Sequence, residues 1–255
     1  MITTPLVKIL IGDLYILSCG FKSRYGLAII LNMKTDIHSP PNPDMNPQID
    51  HVVMGCQTLD AGRADLESRL GVSIPDGGKH PLMSTHNALI QAGGDTYFEL
   101  IATDPHVPPP DRKRWFSLDD PTTQACFENR PRALCWVVSV NDLDALIAKS
   151  PIHLGEILSP SRGDLSWRLT VPKDGHLPLD GLLPAFIEWP DGQNPCHRMP
   201  DKGVRLNQIT ISSPEPDQIS DLMMSLGVSH LAHIVEGAKG LRFDMTTPDG
   251  AITLD

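Results

Sequence analysis

Three stretches of the chain share one pattern of apolar and polar positions. The first opens with strand-like alternation over Asp50–Cys56 and continues with apolar positions at helical spacing after Leu59-Asp60. Gly71 is a typical residue at the end of such a helix. Further strand patterns cover residues 85–91 and 96–102. This stretch therefore predicts a strand, then a helix, then more strands.

The second and third stretches follow the same order. Ala133–Val140 opens the second, and Asp142 is a good N-cap for a short helix over Leu143–Ala148. Arg205–Ile211 opens the third, with a helix predicted over Pro214–Leu226. The strand patterns that follow cover residues 156–158, 165–171 and 183–189 in the second stretch, and 230–235, 241–245 and 251–254 in the third.

The openings of the first and third stretches align without a gap, Asp50–Val72 against Leu206–Val228, and both end in Leu-Gly-Val. Coincidence among short amphipathic elements is the alternative to true repetition. A single such unit would leave one face of its sheet exposed, so repeated units are expected to pack together. We predict one domain of two modules over residues 48–200, and a third βαβββ-like module over residues 201–255 packed on it.

Residues 1–47 have a different character. The apolar run Leu6–Leu17 is interrupted by Asp13, and residues 39–47 are rich in proline. The run is too short and too charged to cross a membrane as a helix. We expect this segment to lie outside the fold, as a disordered extension or a mis-assigned start.

Composition narrows the class of function. The net charge is −10 and no run of Lys or Arg stands out, so a nucleic acid is not an expected partner. The five cysteines form no CxxC pair, which favours a reducing, cytoplasmic setting. Gly77-Gly78 does not follow the strand–turn–helix pattern of a nucleotide loop, and no GxSxG motif of a serine hydrolase is present.

Several short motifs indicate a family. They are IDHVV (49–53), THNALI (85–90), YFELIA (97–102), RWFSLD (114–119), SRGDLSW (161–167), DGLLPAFIEWP (180–190) and TPDGAITL (247–254). In these motifs residues 48–255 resemble the vicinal oxygen chelate superfamily of glyoxalases and extradiol dioxygenases, and in particular its glyoxalase-like domain proteins. The resemblance implies an α+β fold in which βαβββ modules form curved mixed sheets, with a cup inside and helices outside.

The resemblance also implies a site and an assembly. Superfamily members commonly hold a divalent metal on the first and last strands of a module, and His51 and Glu99 match those positions. Zn, Fe, Mn or Ni would suit an imidazole and a carboxylate completed by water. Metal-dependent lyase, isomerase or dioxygenase chemistry would follow. Because modules of this superfamily often pair across subunits, a homodimer is also implied.

Strand alternation puts His51 on the same face as Val53, and Glu99 on the same face as Tyr97. The ordinary alternatives are a hydrogen-bonded histidine and a solvated glutamate. The ligand set is incomplete, since the aligned position in the second unit holds Cys135. Glu188 is the best completing carboxylate, and His86 from a neighbouring strand is the alternative. Glu99 or Glu188 could also serve as a general base.

Further candidates are polar or aromatic residues near these strands. Arg162 could hold a substrate carboxylate through two hydrogen bonds, or could instead form a loop salt bridge with Asp164. Trp136 and Trp189 are suited to line either a core or a cup. The remaining candidate ligand contacts are His86, Asn87, Trp136, Trp167 and Trp189.

The sequence thus predicts a glyoxalase-like protein that binds a small oxygenated metabolite, with a divalent metal on His51 and Glu99 if it is a lyase, isomerase or dioxygenase. The alternative, motivated by the incomplete ligand set, is a metal-free protein that binds or sequesters a small molecule without catalysis.

Overall fold

The structure is a computed structural model that describes residues 10–11, 14–15, 46–190 and 193–255. Residues 1–38 and 39–255 form two separate units. In the first, strands β1 (Leu10–Ile11) and β2 (Leu14–Tyr15) form an antiparallel pair. We expect residues 1–47 to lie outside the fold, as a disordered extension or a mis-assigned start. Apart from these two strands and residues 46–47, that expectation concerns residues outside the described ranges.

The larger unit is built around an eight-stranded mixed sheet with the order β4-β5-β6-β3-β7-β12-β11-β8. The first module consists of β3 (Gln48–Gly55), α1 (Leu59–Leu70), β4 (Asp76–His80), β5 (Thr85–Gln91) and β6 (Tyr97–Thr103). After helix α2 (Pro121–Cys126), the second consists of β7 (Arg132–Ser139), α3 (Leu143–Lys149), β8 (Glu156–Leu158), β11 (Arg168–Val171) and β12 (Ala185–Glu188).

The two modules pair their strands in the same way. In each, the first strand lies parallel to the last, β3 beside β6 and β7 beside β12. The two first strands join the modules by antiparallel pairing at the centre of the sheet. The predicted α+β fold of repeated βαβββ modules is therefore confirmed for these two modules.

Local sequence signals explain where the helices begin and end. Gly71 ends α1 with φ = 70°, a left-handed conformation that favours glycine. Asp142 caps α3, because its Oδ1 accepts a hydrogen bond from the backbone N–H of Ala145 at 2.9 Å. The second module also carries a hairpin absent from the first, formed by β9 (Ser161–Arg162) and β10 (Leu165–Ser166).

The main sheet has two apolar faces. On the helix face, Val52, Phe98 and Trp136 belong to a large core cluster beneath α1 and α3. On the opposite face, which we call the cup face, Val53, Val137 and Ile187 belong to a second cluster. Strand alternation predicts this division, because successive side chains point to opposite faces.

The third unit forms a separate four-stranded sheet with the order β14-β13-β15-β16. Its elements are β13 (Arg205–Ser213), α4 (Pro216–Ser225), β14 (His233–Glu236), β15 (Gly240–Thr247) and β16 (Gly250–Leu254). The element order along the chain is βαβββ, but β13 pairs with β14 and β15 rather than with the last strand. Buried residues of this sheet, such as Phe243, share the core cluster on the helix face of the main sheet.

None of the helices in the described part of the chain is long and apolar enough to span a membrane.

Candidate functional site

A cavity opens on the cup face near the first module. The centre of a water-sized sphere can move through about 40 Å³ of it, so the cavity is small and takes a ligand of few atoms. Its walls combine polar side chains of β3 to β6 with aromatic rings from loops of both modules. The lining residues are His51, His80, Asn87, Leu89, Tyr97, Glu99, Trp115, Phe116, Arg162, Trp167, Leu169, Ile187, Trp189 and Pro195.

His51 stands between two carboxylates. Its Nδ1 lies 2.6 Å from Asp50 Oδ1, and its Nε2 lies 3.4 Å from Glu99 Oε2. Its ring stacks on Tyr97, with centroids 4.4 Å apart. His51 is 4% exposed and Glu99 5% exposed, so solvent does little to screen these charges.

A β-bulge explains how the side chain of Asp50 contacts that of His51, the next residue in the chain. Successive strand residues normally point to opposite faces, but the pairing of β3 with β7 shifts between Ile49 and His51. The carboxylate of Asp50 is further held by Trp189 Nε1 at 2.8 Å and by Asn194 Nδ2 at 3.1 Å. Asp50 is therefore fixed as the orienting partner of the imidazole.

The two carboxylates favour a protonated ring. Burial by itself lowers the pKa of His51, but the hydrogen bonds and charges of Asp50 and Glu99 outweigh it and raise that pKa to about 9. Burial alone would raise the pKa of Glu99, but its contacts with His51, His80 and Asn87 lower it. The pair is thus an imidazolium beside an ionised carboxylate at neutral pH.

A chain of polar contacts continues from Glu99 across the sheet. Glu99 Oε1 accepts a hydrogen bond from Asn87 Nδ2 at 2.5 Å, and Asn87 Oδ1 accepts one from Arg162 Nη1 at 3.3 Å. Arg162 Nη1 also lies 3.5 Å from His80 Nε2. Burial lowers the pKa of His80 to about 4, so its ring is neutral and can accept from the guanidinium.

Aromatic rings close the other side of the cavity. Trp167 and Trp189 lie with ring centroids 5.5 Å apart, and Trp115 stacks on Phe116 at 5.6 Å. Trp115 also meets the ring of His80 edge-on, at 5.1 Å. Such walls bind a flat or apolar ligand body and leave the polar contacts to orient it.

The structure brings together most of the site residues proposed from the sequence. His51, Asn87, Glu99, Arg162, Trp167 and Trp189 all line the one cavity. The loop salt bridge considered for Arg162 is not formed, because Asp164 instead pairs with Arg198 at 2.6 Å.

Three candidates lie on the helix face instead. The carboxylate of Glu188 is 3.0 Å from Arg168 Nη1 and accepts a hydrogen bond from the backbone N–H of Leu143 at 2.8 Å, so it cannot complete a site with His51 or serve there as a base. His86 shares its face with Ala88 and Ile90 of the core. Trp136 is buried there and donates its indole N–H to Leu182 O at 3.0 Å.

Other residues of the site were missed by the sequence interpretation. The alternating pattern of residues 50–56 predicts that Asp50 points away from His51, and only the bulge turns it toward His51. His80 lies on β4, whose sequence DGGKH carries no apolar alternation. Strand alternation predicts Tyr97 on the same face as Glu99 but does not mark it as a contact, and Trp115 belongs to the motif RWFSLD without a predicted role.

The donor set does not fit a resident divalent metal. Catalytic metal sites of this kind use three or more protein ligands, whereas His51 and Glu99 supply two. No group of three His, Cys, Asp or Glu side chains in the described residues is arranged to hold an ion. The equivalent strands of the second module present Cys135, Val137 and Ile187 to the cup face, and Arg162 adds a positive charge to the cavity.

The fold and the cavity define a protein of the vicinal oxygen chelate class. The model of the glyoxalase-like domain family matches residues 49–227, so the chain belongs to that family. No curated protein matches the chain.

Among solved structures, a hypothetical protein from Staphylococcus aureus is similar with a TM-score of 0.51 and 14% identity, covering 82% of this chain and 85% of that one. Methylmalonyl-CoA epimerase from Mycobacterium tuberculosis is similar with a TM-score of 0.39 and 17% identity, covering 60% and 95%. A Streptomyces coelicolor methylmalonyl-CoA epimerase in complex with 2-nitronate-propionyl-CoA gives a TM-score of 0.37 and 19% identity, covering 56% and 96%. At these identities the likeness concerns the fold alone.

Proposed function

We propose that this glyoxalase-like protein binds a small oxygenated metabolite in the cup cavity and moves a proton on it, as an isomerase or lyase does, without a resident metal. The observation that carries the proposal is the buried imidazole of His51, held between two carboxylates at the edge of an aromatic-walled cavity. A buried, coupled acid–base pair in a cleft is characteristic of a functional site.

The roles follow from the protonation states. An ionised Glu99 can take a proton from the carbon next to a carbonyl group, because a carboxylate within reach of an acidic C–H acts as a general base. The N–H of protonated His51 can donate to the carbonyl oxygen as negative charge develops there. Return of the proton to a different carbon or face completes an isomerisation, and loss of a β-substituent completes a lyase reaction.

Asp50 acts on the ligand only through His51. It holds Nδ1 at 2.6 Å and so directs Nε2 toward Glu99 and the cavity. The indole of Trp189, which donates to Asp50 and also lines the cavity, couples this orientation to the wall that meets the ligand. We assign Asp50 as a positioning residue.

A second candidate function is binding without turnover. The specific observation in its favour is that both oxygens of Glu99 already have partners, Asn87 on Oε1 and His51 on Oε2. A base whose lone pairs are engaged by protein donors is poorly placed to accept a further proton. This candidate covers a protein that sequesters a metabolite.

The test is a titration of small carbonyl compounds, both neutral (dihydroxyacetone) and anionic (pyruvate), followed by tryptophan fluorescence, with solvent deuterium exchange at the α-carbon measured by NMR. We expect binding, and an exchange rate that Glu99→Gln lowers by at least 100-fold. Glu236→Gln, an equivalent change on the exposed end of β14, should leave both unchanged.

The outcomes separate the candidates. Binding with exchange that depends on Glu99 supports proton transfer. Binding without exchange supports the sequestering function. If no compound of either kind binds to the parent protein, the cavity is not the ligand site and both functions are rejected.

A further inference from the structure

Arg162 crosses from the second module into a cavity whose other polar groups belong to the first. It lies at the end of β9, in the hairpin that the second module carries between β8 and β11. The hairpin tip is fixed on its outer side by the ion pair between Asp164 and Arg198. The guanidinium is thereby placed over Asn87 and His80, 3.3 and 3.5 Å away.

Arg162 differs from every other arginine in the described part of the chain. Each of the others forms an ion pair with a carboxylate. Arg162 has neutral partners, an amide oxygen and an imidazole nitrogen, both on Nη1. Its Nε and Nη2 have no hydrogen-bond partner among the described residues. A half-buried guanidinium that lines the cavity and has no carboxylate partner is suited to bind an anion that enters there.

The glycine pair of β4 makes room for this side chain. A Cβ on Gly78 would lie 2.8 Å from Arg162 Cδ, and Gly78 has φ = 149°, a conformation that other residues rarely adopt. A Cβ on Gly77 would lie within contact of Asn87 Oδ1 and Leu89. The Gly77-Gly78 pair, which is not a nucleotide loop, is therefore the seat against which Arg162 and Asn87 lie.

The geometry selects among anions. The Nε and Nη2 groups of arginine form one edge that matches the two oxygens of a carboxylate. The small cavity admits only a short ligand. Beyond Asn87, the chain of polar contacts leads to the His51–Glu99 pair. His51 can donate a hydrogen bond there to a second oxygen of the ligand.

We infer that Arg162 binds the carboxylate of a short 2-oxo or 2-hydroxy acid, whose neighbouring oxygen faces His51. This inference rests on the proposed function, because it names the substrate class of the same cavity. Arg162 is then the residue that determines specificity for acids over neutral carbonyl compounds, and the Gly77-Gly78 seat is what keeps it in place.

The experiment measures the Kd of pyruvate and of its neutral amide by tryptophan fluorescence, with inorganic phosphate as a competing anion. The parent should bind pyruvate at least tenfold more tightly than the amide or phosphate. Arg162→Gln should lose about tenfold or more for pyruvate and leave the amide within twofold, because it removes a charged hydrogen-bonding partner that only the acid uses. Arg242→Gln, on the exposed side of β15, is the charge-matched control.

A second pair of variants tests the seat. Gly78→Ala should weaken pyruvate binding as Arg162→Gln does, and the two changes together should weaken it no further. Gly250→Ala is the matched control, since Gly250 also has a positive φ (126°) but a Cβ there meets nothing within 4 Å. Circular dichroism and thermal unfolding of each variant show that it is folded.

The results distinguish this inference from the function on which it rests. Equal affinity for pyruvate and its amide, or pyruvate binding that survives Arg162→Gln, overturns the carboxylate assignment and leaves the binding site in place. Tighter binding of phosphate than of pyruvate also overturns it. If neither pyruvate nor the amide binds, this inference is overturned, and the proposed function is overturned with it only if dihydroxyacetone also fails to bind.

Discussion

On the cup face the two modules present opposite chemistry from the same scaffold. The first places His51 on its first strand and Glu99 on its last. The second presents Cys135 and Val137 on its first strand and Ile187 on its last, all of them buried. Strand order and pairing are the same in both modules, so the contrast between these strands comes from the side chains that they carry.

This comparison shows that the His51–Glu99 pair lies wholly in the first module, whereas the second module closes the cavity around it. The second module contributes walls, through Trp167 and Trp189, and one long side chain, Arg162, on a hairpin that the first module lacks. Fold and site are therefore separable properties of the chain, as they are in many common folds.

The largest expected effect on stability comes from placing a charge on the apolar cup face of the second module. Ile187→Glu would bury a carboxylate among Val137, Leu169 and Ala185, and we expect a loss of about 3–5 kcal/mol in the free energy of unfolding, measured with urea. Ile187→Leu, which keeps volume and polarity, should cost under about 1.5 kcal/mol. Equal stability of both variants would mean that the second half of the cup is hydrated and that the contrast between modules is not one of burial.

The next effect concerns the two buried histidines of the first module, whose pKa values move in opposite directions. His51 binds its proton more tightly in the folded state, with a pKa of about 9 against an ordinary 6.5. Its contribution is therefore complete below pH 6.5 and is lost as the pH rises through 9. His80 has a folded pKa of about 4, so its effect is a loss of stability as the pH falls from 6.5 toward 4.

Urea unfolding across pH 4 to 9.5 tests these signs. His51→Gln should flatten the alkaline decline and His80→Gln the acidic one, each by up to about 3 kcal/mol. If His51→Gln leaves the slope between pH 6.5 and 9 as it is in the parent, the imidazole is not held as a cation between Asp50 and Glu99.

The smallest expected effect is that of metal. Because the second module supplies no further ligand to His51 and Glu99, we expect protein purified without chelators or a His tag to contain well below one divalent metal ion per chain. The His51→Ala/Glu99→Ala variant should contain no less. Elemental analysis that finds about one ion per chain in the parent and none in the variant would contradict this and would restore the metal-dependent chemistry implied by the family resemblance.

The sequence predicts elements better than it predicts their pairing. Gly71 and Gly227 both end helices with positive φ, at 70° and 75°, as the shared Leu-Gly-Val endings indicate. That repeated local signal does not specify which strands pair, so the third unit has the expected element order but a different order in its sheet. Partner choice is a non-local property that short patterns do not encode.

The candidate site was predictable where strand alternation holds. His51 shares the face of Val53 and Glu99 the face of Tyr97, as alternation predicts, whereas Asp50 joins them only through a bulge. Glu188 was misplaced because a shift of one residue along a strand moves a side chain to the other face, and Ile187 is the one that faces the cup. Strand β4 is not predicted from the sequence, because its two glycines weaken the strand signal. In the structure these glycines leave space for Arg162 and Asn87.

The four-stranded sheet of the third unit determines how the chain would respond to truncation. It shares a core with the helix face of the main sheet, and the backbone N–H of Leu206 bonds to Ala92 O at 2.8 Å, next to the turn that carries Asp95. Asp95 O in turn accepts a hydrogen bond from Asn194, which also holds Asp50. A recombinant fragment ending at residue 200 would expose an apolar surface built to be covered, and would be expected in inclusion bodies rather than in the soluble extract.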